Sequence, residues 1–323
     1  MKPIFIGGTG SSGTTILRRI LASHPLIVSI PLELRIIVDP DGTLDLINAI
    51  TDFWSPYTFD KAFYRFKRLL ELGNSGSYFK KGFAEVLRRL GICPPPYSSL
   101  AWGRWFGKNY LKERIKKLEN ALRIETTNSI WIGSEPWRKV KMYHVAPFPK
   151  KEAYKIMSDF FRDLYKKRGE IENKHEATHW VEDTPENLLR FKELKELFPD
   201  AKFIHIYRDP RDVVASYRRQ RWGRGSIEVI TKRVKSILSK WLEIKKELPE
   251  DIYLEVCIER LGTSPEKEFE RIFNFLRIPA GGDISLLNIS KIHVGRWKSE
   301  LSSKEKSVVI HSFKSLLEIY GYK

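Results

Sequence analysis

A glycine-rich stretch near the amino terminus constrains the fold of this chain more than any other feature. Residues 7–21 read GGTGSSGTTILRRIL and follow the short apolar run Ile4-Phe5-Ile6, which predicts a buried strand. The apolar residues after the glycines recur at helical spacing, so the predicted order is strand, glycine-rich loop and helix. Backbone N–H groups in such a loop converge on one point, and the helix N-terminus adds partial positive charge. We therefore expect this loop to bind a phosphate group.

The loop nearly matches the Walker A pattern of nucleotide-binding loops, G-x-x-x-x-G-K-S/T. Gly8 and Gly13 have the required spacing and Thr15 fills the last position, but Thr14 replaces the lysine. Walker A enzymes use that lysine on the β- and γ-phosphates. The loop therefore predicts phosphate binding without cleavage of a triphosphate. A P-loop kinase or NTPase remains an alternative function, although it predicts a lysine that this loop lacks.

The charge of the chain is strongly positive. Its 323 residues carry a formal net charge of +17, and 42% of them are hydrophobic, which is ample for a core. Such a balance suits an anionic cosubstrate, an acidic acceptor, nucleic acid or a membrane surface, and it does not choose among them. A basic nucleic-acid-binding protein is a further alternative, because one segment resembles a base-stacking surface. Residues of this kind are more often core aromatics beside basic side chains. They are Trp102, Arg104, Trp105 and Lys108.

Cysteine content and hydropathy exclude several classes of protein. Cys93 and Cys257 are the only cysteines, so the sequence predicts neither a disulfide framework nor a cysteine metal site. No apolar stretch reaches the length of a membrane-spanning helix. The first strand follows Met1-Lys2-Pro3 directly, which leaves no room for a signal peptide. We expect a soluble, cytoplasmic protein.

A second strand–turn–helix unit follows a long middle segment. Residues 202–207 predict a strand, and the turn Arg208-Asp209-Pro210-Arg211-Asp212 leads into a helix that ends near Arg221. This order predicts an α/β fold with a P-loop-like parallel sheet flanked by helices. Residues 40–178 show few strand-like runs, so we interpret them as a large helical insertion into a single domain of residues 1–323. Predicted helices span 44–53, 59–72, 79–90, 108–123, 150–168, 186–198, 264–276 and 304–320.

Charged residues follow two of the predicted strands. Residues 26–30 predict a strand, and Glu33 and Arg35 come just after it. Ligands of open α/β sheets bind outside the carboxyl ends of the strands, so both residues are candidates for chemistry. Arg208 ends another strand, and Ser216 lies about two turns into the next helix. A guanidinium and a hydroxyl in these places can bind one phosphate from two sides.

These segments resemble the sulfotransferases that depend on 3′-phosphoadenosine 5′-phosphosulfate (PAPS). Residues 12–15, SGTT, resemble the end of the family's 5′-phosphosulfate loop, usually written K/R-S-G-T-T, and residues 206–217, IYRDPRDVVASY, resemble its 3′-phosphate motif. His24-Pro25 and Glu33-Leu34-Arg35 are similar to segments of the tyrosylprotein sulfotransferases and related bacterial enzymes. The resemblance covers about residues 1–38 and 180–323.

The resemblance implies an enzyme that moves a sulfuryl group from PAPS to a hydroxyl or amine acceptor and releases PAP, without a metal. It implies Glu33 as the base with Arg35 beside it, whereas His179 and Asp183 are rival bases. The acceptor is unknown and is not expected to be nucleic acid. The charge favours an acidic polysaccharide, peptide or small molecule, and we expect its site within residues 40–178. The cofactor-binding residues implied are Gly10, Ser11, Ser12, Gly13, Thr14, Thr15, Arg208, Ser216, Arg296 and Trp297.

The sequence departs from the family pattern where the family has positive charge. Ser11 stands where the loop usually has Lys or Arg, and Asp183 stands where the family has a Lys before D/T-P. Both cations would offset charge on the sulfuryl group and the leaving phosphate. Candidates to replace them are Arg35, Arg18 and Arg296. A weaker match at residues 257–261 keeps only the Glu and Leu of the family's Y-E-D-L stretch.

Overall fold

The computed structural model describes residues 1–75, 100–129, 142–220, 223, 225–288 and 292–323, and these form two compact units. The sheet unit comprises residues 2–31, 176–195 and 199–323, and the helical unit comprises residue 1, residues 32–175 and residues 196–198. The helix predicted at 79–90 and Cys93 lie outside the described residues.

Strands and helices alternate in the sheet unit and cluster in the helical unit. The strands β1 to β7 are, in chain order, Lys2–Gly7, Ile27–Ser29, Glu125–Thr127, Met142–His144, His179–Glu182, Lys202–Tyr207 and Tyr253–Cys257. The helices α1 to α13 are Thr14–Ser23, Thr43–Ile50, Pro56–Ser75, Trp102–Phe106, Lys108–Ala121, Lys150–Ile171, Phe191–Leu197, Pro210–Arg219, Ile227–Lys245, Ile258–Thr263, Pro265–Leu276, Trp297–Glu300 and Ser303–Tyr320.

The sheet unit is built on a five-stranded parallel sheet with the order β2-β5-β1-β6-β7. β1 lies at its centre because Ile4, Phe5 and Ile6 are apolar on both faces and fully buried. From β1 the chain runs first to β2 on one side and later to β6 on the other. The carboxyl ends of β1 and β6 therefore flank the point where the strand order reverses, which is where open α/β sheets bind ligands.

Helices cover the sheet, which confirms the predicted fold class. α1 and α11 contribute Leu17, Ile20 and Phe273 to one apolar cluster with the strands, and α8, α9 and α13 form a second cluster. The helix predicted at 186–198 is instead divided into a tight 3-10 turn at Pro185–Leu189 and α7. Asn187 explains the tight turn, because its side chain donates to the backbone oxygen of Ile6 in β1 at 3.2 Å.

The helical unit contains α2 to α6. The bounds of α2, α3, α5 and α6 lie close to the predicted ones, whereas α4 was not predicted. The antiparallel pair β3-β4 was not predicted. Trp102 is 1% exposed, so it is a core aromatic of this unit, as residues of this kind more often are, and does not belong to a stacking surface. Trp105 is partly exposed, and the guanidinium carbons of Arg104 and Arg168 lie 5.2 and 5.4 Å from its ring centre. In the part of the chain that the structure describes, no helix is both long and apolar enough to cross a membrane.

Candidate functional site

The loop between β1 and α1 has the backbone of an anion-binding turn. Gly10, Ser11 and Gly13 have positive φ angles of 68°, 52° and 107°, and turns that contain such left-handed residues can point successive N–H groups toward one anion. α1 then begins at Thr14 with its N-terminus at the loop. Ser11 is strained, because the left-handed region is costly for a residue with a side chain, and strain of this kind is concentrated at binding sites.

Close packing explains the glycine at position 8, and it exposes an unusual serine. A Cβ atom on Gly8 would lie 2.2 Å from Ser12 Oγ and 2.7 Å from the Ile206 carbonyl oxygen. Ser12 is fully buried, and within the described residues its Oγ has no hydrogen-bond partner. A buried hydroxyl without a partner is costly in a folded protein. Ser12 therefore fits a loop whose hydroxyl donates to a ligand.

Neighbouring elements of the sheet unit fix the position of the loop. Gly8 N donates to the Pro185 carbonyl oxygen at 3.1 Å, and the Tyr217 hydroxyl donates to the Thr9 carbonyl oxygen. Ser216 precedes Tyr217 in α8 and is buried. The structure therefore brings the helix that carries Ser216 against the loop, as the phosphate hypothesis requires.

Arg208 connects the loop to a late segment of the chain, residues 292–297. It follows β6, the neighbour of β1, and only 7% of it is exposed. Nη1 lies 3.4 Å from the Ser11 carbonyl oxygen, and Nη2 donates to the carbonyl oxygens of Ile292 and His293 at 3.2 and 2.7 Å. Its Nε is buried and has no hydrogen-bond partner within the described residues. Arg208 thus retains one unsatisfied donor beside the loop.

Asp212 binds backbone N–H groups of the same late segment. The carboxylate accepts from Gly295 N at 2.7 Å and from Trp297 N at 2.9 Å, and Oδ2 lies 3.6 Å from Arg208 Nη2. Burial raises the pKa of Asp212, although the two N–H groups and the Arg208 charge oppose that shift. Asp212 was not predicted, even though it lies inside the motif that identified Arg208.

The two predicted residues of the late segment have different surroundings. The Trp297 ring packs beneath the Arg211 guanidinium, whose carbon lies 4.3 Å from the ring centre, and Arg211 also pairs with Asp209 at 2.8 Å. Arg296 Nε instead lies 3.1 Å from Glu300 Oε1. The structure therefore brings Trp297 into the Arg208 network and pairs Arg296 with a carboxylate of the next helical turn.

Glu259 supports the turn that carries Arg208, and sequence reasoning missed this role. Its Oε1 accepts from Asp209 N at 2.9 Å and its Oε2 accepts from the Tyr322 hydroxyl at 2.9 Å. Ile258 occupies the position of the family's tyrosine. A Cβ atom on Gly13 would lie 2.3 Å from Ile258 Cδ1. This position therefore lies against the loop, where Ile258 offers an apolar contact and no hydroxyl.

Asp183 forms a buried ion pair with Arg18. The Asp183 carboxylate follows β5 and lies 2.8 Å from Arg18 Nε, and both side chains are 5% exposed or less. Arg18 Nη1 also donates to the Ile30 carbonyl oxygen at 3.0 Å. This buried pairing disfavours Asp183 as a base, because an acceptor cannot reach a carboxylate whose side chain is 1% exposed. It also disfavours Arg18 as a replacement cation, because the pair carries no net charge.

His179 lies at the opposite edge of the sheet from the loop. Its register partner is Lys2, at the amino end of β1, whereas the loop follows the carboxyl end of that strand. Burial, and then the positive charge of Lys2, lower the pKa of His179 to about 4. The structure does not bring His179 to the loop, and we therefore discard it as a candidate base.

Glu33 and Arg35 belong to the helical unit and form a three-residue network with Asp39. Arg35 Nη1 donates to Glu33 Oε2 at 2.6 Å, and its Nε and Nη2 donate to the Asp39 carboxylate at 2.8 and 3.1 Å. About one third of the Glu33 and Arg35 side chains is exposed, at 31% and 33%. Glu33 is therefore an oriented carboxylate that solvent can reach. Asp39 was not predicted, although its distance of one helical turn from Arg35 in the sequence was a usable signal.

Comparisons with known proteins agree with the family resemblance. The sequence profile of the Sulfotransferase family matches residues 3–52 and 110–281, which is more than half of the chain. The sulfotransferase domain of the curacin biosynthetic pathway is 15% identical, covers 100% of this chain and 98% of its own, and has a TM-score of 0.50. The sulfotransferase domain of the Synechococcus PCC 7002 olefin synthase is 18% identical, with coverage of 100% and 94% and a TM-score of 0.49.

No curated protein matches the sequence. The likeness to the curacin domain supports the fold alone, because the identity is low, whereas the profile match establishes the family. The match includes the glycine-rich loop, Arg208 and Ser216. The chain belongs to the sulfotransferase family and is an enzyme that transfers a sulfuryl group.

Proposed function

We propose that this sulfotransferase uses PAPS as its sulfuryl donor and releases PAP. In this proposal residues 10–15 bind the 5′-phosphosulfate, and Arg208 and Ser216 bind the 3′-phosphate. One observation carries the proposal: the glycine-rich loop and the Arg208 turn follow the neighbouring strands β1 and β6, and Arg208 connects them through the Ser11 carbonyl oxygen. Two such anchors suit a nucleotide that is anionic at both its 5′ and 3′ ends.

Unsatisfied donors support the fit of such a nucleotide. Ser12 Oγ and Arg208 Nε are both buried without hydrogen-bond partners in the described part of the chain. Each would gain a strong acceptor from a phosphate oxygen, and hydrogen bonds to charged acceptors are roughly twice as strong as neutral ones. The backbone amides of the loop and the N-terminus of α1 supply further donors for the 5′ end.

The proposed reaction is a direct transfer. The acceptor oxygen or nitrogen forms a bond to sulfur while the bond from sulfur to the 5′-phosphate oxygen breaks, and its electron pair stays on PAP. Glu33 takes the proton of the acceptor, and Arg35 holds the Glu33 carboxylate through the 2.6 Å hydrogen bond. Loop amides and the α1 dipole offset charge on the leaving phosphate. Because Ser11 and Asp183 replace two cations of the family pattern, backbone groups offset more of the charge on the leaving phosphate in this enzyme.

We further propose that the acceptor binds to the helical insertion, residues 40–178 of a single functional domain, and that it is acidic. Cations that lie beside aromatic rings in the helical unit support an acidic acceptor. Arg104 and Arg168 flank the Trp105 ring, and the Arg114 and Lys167 charges lie 5.0 and 5.6 Å from the Tyr110 ring centre. Such surfaces bind the planar faces and charged groups of carbohydrates and acidic peptides.

Thermal unfolding with three ligands tests the choice of donor. PAP should raise the melting temperature, because a ligand at about 100 times its Kd adds about 2.7 kcal/mol to the free energy of unfolding. ATP with Mg²⁺ and a single-stranded oligonucleotide should have much smaller effects. Stabilisation by ATP alone would favour a P-loop kinase, and stabilisation by the oligonucleotide alone would favour a nucleic-acid-binding protein.

Arg208→Ala should weaken PAP binding by about 2–3 kcal/mol, because a charge-assisted contact to the 3′-phosphate is lost. Arg208→Lys should recover only part of that free energy, since an ammonium group cannot reproduce the guanidinium fork. Calorimetric titration with PAP measures both effects. Titration with AMP, which has no 3′-phosphate, is the control and should show little change. Equal losses for PAP and AMP would mean that Arg208 only supports the fold.

A further inference from the structure

We propose that Asp212 determines the selectivity of this enzyme for a 3′-phosphorylated nucleotide. It does so by holding the late segment, residues 292–297, in place while Arg208 exchanges partners. This inference rests on the proposed use of PAPS, and it assigns Asp212 a positioning role rather than a contact with the reacting atoms.

Arg208 and Asp212 divide the backbone groups of the late segment between them. Arg208 Nη2 binds the carbonyl oxygens of Ile292 and His293, and the Asp212 carboxylate binds the N–H groups of Gly295 and Trp297. Arg208 therefore holds the first half of the segment, and Asp212 holds the second half. Asp212 is fully buried, so water does not replace its two hydrogen bonds.

The geometry of the guanidinium makes phosphate binding an exchange. A guanidinium binds a phosphate through two N–H groups along one edge, and both edges available for this, Nη1–Nη2 and Nε–Nη2, include Nη2. The carbonyl oxygens of Ile292 and His293 occupy Nη2 of Arg208. A 3′-phosphate that binds Arg208 along either edge must therefore displace at least one of these carbonyl groups.

This exchange discriminates between nucleotides. A phosphate oxygen is a charged acceptor and competes with a neutral carbonyl oxygen for Nη2, whereas a 3′-hydroxyl is neutral and does not. The late segment therefore screens Arg208 from nucleotides that lack a 3′-phosphate.

Asp212 is required for this discrimination because its two hydrogen bonds do not involve Arg208. They keep Gly295 and Trp297 in place when the carbonyl groups of Ile292 and His293 are displaced. Without them a 3′-phosphate that displaces the carbonyl groups would release the whole segment, and this cost would weaken PAP binding. A nucleotide without a 3′-phosphate leaves the carbonyl groups on Arg208, so its binding would not carry this cost. Asp212→Asn keeps the shape of the side chain but loses one of these two hydrogen bonds. The NH₂ group of Asn is a donor, so it cannot accept from the backbone N–H group that it faces.

The test compares PAP with AMP. Asp212→Asn should weaken PAP binding by about 30-fold, and change AMP binding by less than about 3-fold, so the ratio of the two Kd values falls by about 10-fold. Asp60→Asn is a matched control, because Asp60 is also buried and accepts a backbone N–H, from Tyr143 at 2.7 Å in the helical unit. It should lower the melting temperature and leave the PAP-to-AMP ratio unchanged.

A ratio in Asp212→Asn equal to that of the wild type would overturn the role of Asp212. A wild-type enzyme that binds PAP no better than AMP would instead overturn the proposed donor, so the two failures are distinguishable. Hydrogen exchange on the wild type covers the case in which Asp212→Asn does not fold. The amides of Gly295 and Trp297 should stay protected both without ligand and with PAP, and loss of their protection on PAP binding would contradict the inference.

Discussion

Glu33→Gln should lower turnover by about 100-fold or more, because the amide keeps the shape of the side chain and cannot accept the acceptor's proton. PAP affinity and the melting temperature should hold, since the change leaves the phosphate anchors intact. Transfer from PAPS measured at saturating donor, together with PAP titration, separates the loss of the base from a loss of binding.

Asp39→Asn is the control for this prediction. Asp39 shares the Arg35 guanidinium with Glu33, at 2.8 Å from Nε, so its replacement disturbs the same network and removes a comparable charge. Turnover should then fall by less than about 10-fold. If Asp39→Asn reduced turnover as much as Glu33→Gln, the network would be needed as a whole, and Glu33 would not be the base. Full turnover in Glu33→Gln would exclude it outright.

Asp183→Lys should destabilise the protein by more than about 3–5 kcal/mol, although it installs the residue that the family pattern has at this position. It would place an ammonium group beside the buried Arg18 guanidinium, and two buried cations repel each other without a counter-charge. Adding Arg18→Leu should recover much of the loss. Unfolding in urea measures the free energy of unfolding of each variant.

Asp52→Lys provides the matched control, because Asp52 pairs with Lys150 at 2.6 Å and both side chains are more than 40% exposed. The same change of charge there should cost at most about 1 kcal/mol, since solvent screens the repulsion. If Asp183→Lys were as stable as Asp52→Lys, the Arg18–Asp183 pair would not be what excludes a lysine from position 183.

The placement of the two proposed phosphate anchors could be predicted from the sequence because each lies in a contiguous stretch. The spacing in residues 7–15 and 206–217 encodes a strand, a turn and a helix, and the parallel sheet then brings the two turns to neighbouring strand ends. The bounds of α13 could be predicted within one residue for a similar reason, since its apolar spacing and its terminal glycine are both local signals.

Partnerships between distant residues could not be predicted in this way. The sequence identifies Asp183 as a departure, but nothing near it indicates that Arg18 pairs with it. Asp212 similarly lies in a recognised motif, whereas its partners Gly295 and Trp297 depend on the tertiary fold. Three-residue strands such as β3 and β4 are too short to show periodicity.

One long helix went unrecognised even though its signal was local. α9, Ile227–Lys245, buries Ile230, Val234, Leu238 and Trp241, which recur at helical spacing.

The pairing of β2 with β5 has a consequence for folding. Ser29 and Val181 are register partners although the whole helical insertion separates them in the chain. The entropy of closing so long a loop rises only slowly with its length, so the insertion costs the native state little. Parallel pairing over such a separation is nevertheless slow to form, because the chain loses the entropy of loop closure before the stabilising contacts between the strands are made. β2 is also a three-residue strand at the edge of the sheet, with one neighbour. We therefore expect the strand that leads to Glu33 to join the sheet late in folding and to open early.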